Sequence, residues 1–330
     1  MKKEKLKKQN PLLSLSLLFS LFSFTFYLFL SVTLSAQTVD FRYAIVPDNP
    51  RPGEPVTIGT TNVGAQSVFL TVGGRRLAKA AFFPIPVDGA KQPFFVLASV
   101  LTVPSTAQPG RALITIEGMA GIVEEIAITI TSRDFTAEVI ELNAVLTGIR
   151  TEPDPQKTAE ANHLWSILNR TNGDVGQSAA WHFGKFSPPV ISTRRTSFFG
   201  DRRVFKYSNG AADTSIHAGI DYGVPTGTVV SACGKGKVVL ARSRIVTGNS
   251  IIIEHLPGVY SLYYHLDKIE VTEGSFVDTG MRIGLSGATG LATGPHLHWE
   301  IRISGENTDP DAFIDRPILD KDMILGKLGL

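Results

Sequence analysis

His296-Leu297-His298-Trp299-Glu300-Ile301-Arg302-Ile303-Ser304 is the stretch from which the rest of the chain becomes readable. Strict alternation places His296, His298, Glu300, Arg302 and Ser304 on one face and Leu297, Trp299, Ile301 and Ile303 on the other. The pattern predicts a half-buried strand. Its apolar face supplies core, and its two imidazoles project the same way, close enough for one to bind a metal and the other to reach the metal's water.

Two earlier segments carry partners for that strand. In Ser215-Ile216-His217-Ala218-Gly219-Ile220-Asp221-Tyr222-Gly223 a histidine and an aspartate stand four apart. Gly219, Gly223 and Pro225 argue against a helix, so the reading is a turn entering a strand, with glycines letting the backbone bend around an ion. A neutral imidazole and a carboxylate are both good zinc ligands, and His298 would complete a three-ligand shell with its fourth position open to water. The second segment, Leu262-Tyr263-Tyr264-His265-Leu266-Asp267, lies in a strand-forming run from Val259 to Leu266. Alternation puts His265 on the face of Tyr263 and Ser261, and beside the other segments it becomes a candidate for the second proton-handling imidazole. These segments hold four of the seven histidines; His163, His182 and His255 keep structural readings.

Together the segments resemble the lysostaphin-type zinc metalloendopeptidases, whose pattern is His-x-x-x-Asp, a later Tyr-x-His-Leu and a final Gly-Pro-His-Leu-His. The resemblance runs from about Thr196 to Asp315 and includes the glycine punctuation at Gly227, Gly234, Gly236, Gly248, Gly287 and Gly290. It implies an all-β catalytic domain holding one Zn2+, with His217, Asp221 and His298 as ligands. His265 and His296 would be the pair that handles protons and the developing oxyanion, with the choice of base between them open. The implied substrate is peptidoglycan, at its stem peptides or cross-bridges. The alternative is a non-catalytic wall-binding regulator or amidase activator of the same fold. Relatives often carry a tyrosine shortly before the first metal histidine; residues 211–216 contain none, and Tyr207 is further upstream.

The first 36 residues read as a signal peptide or N-terminal anchor: five lysines precede an uncharged Leu- and Phe-rich run ending at Ser35-Ala36. Export to the periplasm or cell envelope follows, and membrane attachment only if the segment stays uncleaved. The whole chain carries a formal +2, of which this segment contributes five lysines against Glu4, so the remainder is mildly acidic and nucleic acid is an unsuitable partner. The single cysteine, Cys233, reads as a buried small hydrophobe.

Residues 37–134 show strand-like runs at Val56–Thr60, Ser67–Val72, Phe94–Leu101, Ala112–Glu117 and Ile122–Thr131 between Pro and Gly turns. They read as an immunoglobulin-like β-sandwich without chemistry of its own. Residues 135–195 read as a linker with one helix, capped by Asp154 with Pro155 in its first turn and Ala161, Leu164, Trp165 and Leu168 on one apolar face. Asn172, Asp174 and His182 in that region are candidates for filling the catalytic groove. The metallopeptidase domain is assigned to 196–330, which makes the whole chain mainly β.

Overall fold

The computed structural model describes residues 41–87, 94–170 and 181–330. The lysine-rich leader, Asn172 and Asp174 lie outside the described residues. The described residues belong to one compact unit from Phe41 to Leu330. Among them no helix is long and apolar enough to cross a membrane.

The N-terminal part is two four-stranded sheets. One has the order β1-β2-β6-β5, from β1 (Tyr43–Val46), β2 (Pro55–Thr60), β5 (Phe83–Pro86) and β6 (Phe95–Thr102). The other has the order β4-β3-β7-β8, from β3 (Ala65–Val72), β4 (Arg75–Ala81), β7 (Gly110–Gly118) and β8 (Gly121–Ile130). All pairings in both are antiparallel. The sequence reading missed three of these strands. β4 is built from Arg, Lys and Ala, which carry little β-propensity. β5 contains two prolines, tolerated because it is a sheet edge, and β1 is short.

The first sheet is buried on both faces. Leu97 and Leu101 of β6 join the sandwich interior with Val56, Val68 and Ile114. Val96, Ala98 and Val100 point the other way, into a core that also holds Trp299, Phe313, Ile318 and Ile324. β6 therefore shows a continuous apolar run rather than an alternation. One of these two hydrophobic cores thus joins the outer face of this sheet to the C-terminal region.

β9 (Ala137–Glu141), β11 (Arg202–Lys206) and β12 (Ala212–Ile216) form a three-stranded sheet in which β9 runs parallel to β11. The large sheet follows the order β10-β13-β20-β17-β16-β15-β18: β10 (Arg195–Ser197), β13 (Gly219–Tyr222), β15 (Gly236–Arg244), β16 (Gly248–Leu256), β17 (Val259–Ile269), β18 (Phe276–Val277) and β20 (Leu297–Ile303). β14 (Val229–Ser231) pairs with β19 (Arg282–Ser286), and β21 (Glu306–Thr308) with β20. Leu297, Trp299, Ile301 and Ile303 all enter the shared core, as the alternation predicts.

The opposite face of that sheet is covered at one end by a helix. Among its described residues, region 135–195 holds two helices where one was expected, α1 (Ala144–Thr151) and α2 (Pro155–Leu168). Asp154 caps α2 by accepting from the amides of Gln156 and Lys157. Its buried residues are Ile167 and Leu168, which pack with Leu240, Ile252, Tyr260, Leu262 and Tyr264. Trp165, expected on the apolar face, is half exposed instead, because the sheet meets the helix at its C-terminal turn. Two short helices, α3 (Asp311–Asp315) and α4 (Lys321–Lys327), close the chain against the sandwich. A Cβ on Gly59 of β2 would stand 2.4 Å from Ile324 Cγ2, so α4 sits directly on that strand.

Ile324→Ala is therefore expected to loosen the joint between the sandwich and the C-terminal region, costing about 2–5 kcal/mol. Chemical denaturation followed by tryptophan fluorescence measures this, and an unchanged midpoint would contradict the shared core.

Candidate metal centre

Asp221 and His298 are direct register partners on β13 and β20, so their side chains leave the sheet side by side. Both point away from the shared core, on the face that also carries Tyr264. A carboxylate oxygen, Asp221 Oδ1, lies 2.6 Å from His298 Nδ1 and 3.1 Å from His217 Nε2, and the two ring nitrogens are 3.0 Å apart. His217 reaches the cluster from the corner between β12 and β13. Gly219, the first residue of β13, lets that strand lie close to β20: a Cβ there would come 2.2 Å from Trp299 O.

The far nitrogen of each imidazole is already committed. His217 Nδ1 donates to Phe198 O at 2.8 Å, which leaves Nε2 with a lone pair toward the cluster. His298 Nε2 donates to Glu300 Oε1 at 3.0 Å, leaving its Nδ1 lone pair facing the same point. Behind Glu300, Arg302 Nε donates to Oε2 at 2.7 Å, and Tyr264 stacks on the His298 ring at 5.5 Å. These three residues form a His-Asp-His group whose candidate ligand atoms lie within 4.8 Å of one another. Two lone pairs and an anionic oxygen at these separations repel unless a cation lies between them, so the donor set fits a tetrahedral zinc site.

In the metal-free protein a proton takes that role. Burial pushes the His298 imidazole down, but Asp221 and then Glu300 overcome it and raise its pKa to about 9. Burial would raise the Asp221 carboxyl; His298 and His217 instead hold it well below the usual range. Its second oxygen, Oδ2, accepts from Arg203 Nη2 at 2.7 Å. Arg203 in turn is paired with Glu138.

His265 and His296 stand beside the three candidate ligands, their ring centroids 4.8 Å apart. His296 Nδ1 donates to Gly294 O at 2.8 Å, and its Nε2 is 3.8 Å from Asp221 Oδ1. His265 Nδ1 donates to Thr289 O at 2.8 Å. Each therefore keeps Nε2 as an acceptor. Burial pushes both imidazoles down, His265 to about 3 with help from the neighbouring histidines, so both are neutral near pH 7.

The predicted orientation of His265 needs correction. Tyr263 and Ser261 face the core, where Ser261 Oγ lies 2.7 Å from His255 Nε2. Strict alternation would send His265 there too. A bulge intervenes: His265 adopts φ 60°, its amide donates to Thr247 O at 2.9 Å, and the pairing register of β17 shifts around it. Parity flips, Leu266 enters the core and His265 turns to the metal face.

Other histidines stand elsewhere. His255 is buried, with Nδ1 donating to Lys235 O at 2.8 Å. His182 stacks on Phe186 and hydrogen-bonds Lys185 O, beside His255 rather than in the cleft. Tyr207 hydroxyl pairs with Arg150 Nε at 3.1 Å. Cys233 is buried, and burial pushes its thiol up to about 12.

All five residues line a cleft of about 270 Å³, whose walls include Ile140, Leu142, Val246 and Leu291. A larger recess of about 570 Å³ runs along Pro188–Thr193 and contains none of the five. Sequence reasoning missed Arg203, Glu138 and the carbonyls of Phe198 and Thr289. Carbonyls leave no trace in a sequence, and Arg203 and Glu138 sit in short charged strands that read as solvated.

Residues 215–310 match the model of Peptidase family M23, so the chain carries a peptidase M23 domain, and zinc is the metal of that family. The chain is 35% identical over 175 residues to peptidoglycan DD-endopeptidase ShyA of Vibrio cholerae, covering 53% of this chain and 39% of that protein. It is 43% identical over 135 residues to peptidoglycan DD-endopeptidase ShyB of the same organism, covering 41% and 31%. The matches thus span less than half the length of these relatives. A crystal structure described as a putative peptidase M23 from Pseudomonas aeruginosa superposes with a TM-score of 0.53 at 22% identity, covering 80% of this chain and 94% of that one. That likeness extends the shared fold well beyond residues 215–310.

The raised pKa of His298 has a stability consequence for the metal-free protein. The contribution is complete below the unfolded value of about 6.5 and is lost as pH rises through about 9. The metal-free melting temperature is expected to fall across that window, and the fall to flatten in His298→Gln. Saturating zinc, which replaces the proton, should flatten it as well.

Proposed function

We propose that this chain is an exported zinc metalloendopeptidase that hydrolyses peptide crosslinks of peptidoglycan. One observation carries the reading: three ligand atoms converge beside two neutral imidazoles whose Nε2 atoms are uncommitted, inside a cleft. The peptidoglycan substrate is supported by the names of the relatives, and export by the lysine-led apolar leader.

The geometry assigns work to each group. His217, Asp221 and His298 would hold the metal, which when bound supplies a Lewis acid and a nucleophile at neutral pH. His265 and His296 hold no proton at Nε2 in the resting state, so each is poised to accept one there from the attacking water. The imidazolium so formed hydrogen-bonds the developing oxyanion through that N–H without giving up its proton, and then transfers the single proton to the leaving nitrogen, which returns the ring to its neutral form. Backbone carbonyls lock both rings in this tautomer. Ile140, Leu142, Val246 and Leu291 provide an apolar wall that limits water around the reacting carbonyl. Because all five residues are assembled, the hydrolase reading is better supported than that of a non-catalytic regulator.

Digestion of defined crosslinked muropeptides with mass analysis of the fragments tests the proposal. Chelation should stop fragment release and zinc restore it; undiminished release after rigorous metal removal would sink the reading. His296→Ala and His265→Ala are expected to retain zinc while losing roughly 10²–10⁴-fold in kcat. Loss of zinc in either variant would show that the ligands are misassigned.

A further inference from the structure

The family match begins at residue 215, yet the metal ligand Asp221 is held from outside it. Arg203 on β11 donates from Nη2 to Asp221 Oδ2 at 2.7 Å, while its Nε bonds Glu138 on β9. Glu138 and Arg203 are register partners in the parallel β9–β11 pairing, so the backbone ladder itself brings the acid to the guanidinium. Ser197 Oγ lies 2.9 Å from both Glu138 Oε1 and Asp201 Oδ2, with one hydroxyl proton to offer between them, and Asp201 Oδ2 also accepts the Phe198 amide. Phe198 is the residue whose carbonyl orients His217. The side chains of Arg203 and Asp221 are 14% and 10% exposed, so their charges are only weakly screened.

We infer that Glu138 and Arg203 are positioning residues for the metal centre, with Glu138 supplying the counter-charge that lets a cation stand behind a metal ligand. Arg203 occupies Asp221 Oδ2, so Oδ1 alone faces the histidines. An unbalanced guanidinium at that distance would repel a divalent cation, and the Glu138 carboxylate cancels that repulsion. The arrangement mirrors the other side of the site, where Glu300 accepts from His298 and is balanced by Arg302. In both pairs the inner ion orients a ligand and the outer ion neutralises it. The strand from Ala137 to Glu141 is then part of the metal centre and not merely a connection.

This inference rests on the metal-site reading but not on hydrolysis, and zinc affinity of the full chain tests it by competition with a chromophoric chelator. Glu138→Gln keeps the shape and an acceptor oxygen but removes the charge, and is expected to weaken zinc binding roughly 10- to 100-fold. Glu138→Asp, which keeps the charge, should bind more tightly than Glu138→Gln. The charge-balanced double variant Glu138→Gln with Arg203→Gln should also recover affinity relative to the single change, an outcome that a merely structural role would reverse. Affinity of Glu138→Gln within about threefold of the unmodified chain, or a double variant no tighter than Glu138→Gln, would overturn the inference. Failure of the unmodified chain to bind zinc would instead overturn the metal-site reading beneath it.

Discussion

Two imidazole lone pairs and a carboxylate oxygen forced to within 3.1 Å of one another are the constraint on which this molecule's design turns. No arrangement of neutral side chains would hold them there without a cation between them. Their convergence is imposed by elements that have no chemistry themselves. The β13–β20 register sets Asp221 beside His298, the short break between β12 and β13 delivers His217, and acceptors on the far ring nitrogens prevent either imidazole from turning its lone pair elsewhere. Buried carbonyl and carboxylate acceptors are used to fix tautomers, which costs less than orienting mobile rings at each turnover.

The second feature is local strain placed where it changes function. A non-glycine residue at φ 60° is held at a cost of about 1–3 kcal/mol, and His265 accepts that cost within the buried stretch of β17. Hydrogen bonds from its amide to Thr247 and from its ring to Thr289 offset it. The result is a change of parity. Without the bulge the imidazole would lie among Ser261, Tyr263 and Cys233 in the core, where His255 already sits with both ring nitrogens engaged.

How legible this was in the sequence depended on whether the information was periodic. The alternation from His296 to Ser304 predicts a strand with a buried apolar face, and Leu297, Trp299, Ile301 and Ile303 all enter the core. The glycines around His217 predict a bend, but Gly219 is a regular strand residue whose missing Cβ lets the strand approach Trp299 O closely. Periodicity misplaces His265, because a bulge is an interruption of period that no single residue announces. Composition hides β4 and β5, whose Arg, Lys, Ala and Pro contents argue against strands that tertiary pairing nevertheless imposes. Glu138 and Arg203 are invisible for a different reason: each is an ordinary surface residue type, and only the parallel pairing of segments 65 residues apart gives them a common partner.

That pairing bears on where the functional unit ends. The segment that matches the family supplies every candidate ligand, both neighbouring imidazoles and much of the core beneath the sheet, yet it does not contain Arg203 and Phe198, which hold Asp221 and His217. β6 contributes one face to the interior of the sandwich and the other to the core under β20, so the two packed interiors meet across a single strand. In close-packed interiors a displacement on one side is transmitted rather than absorbed. The candidate ligands are therefore steadied from both sides of the point where the family match begins, with Arg203 and Phe198 bonding Asp221 and His217 from before residue 215.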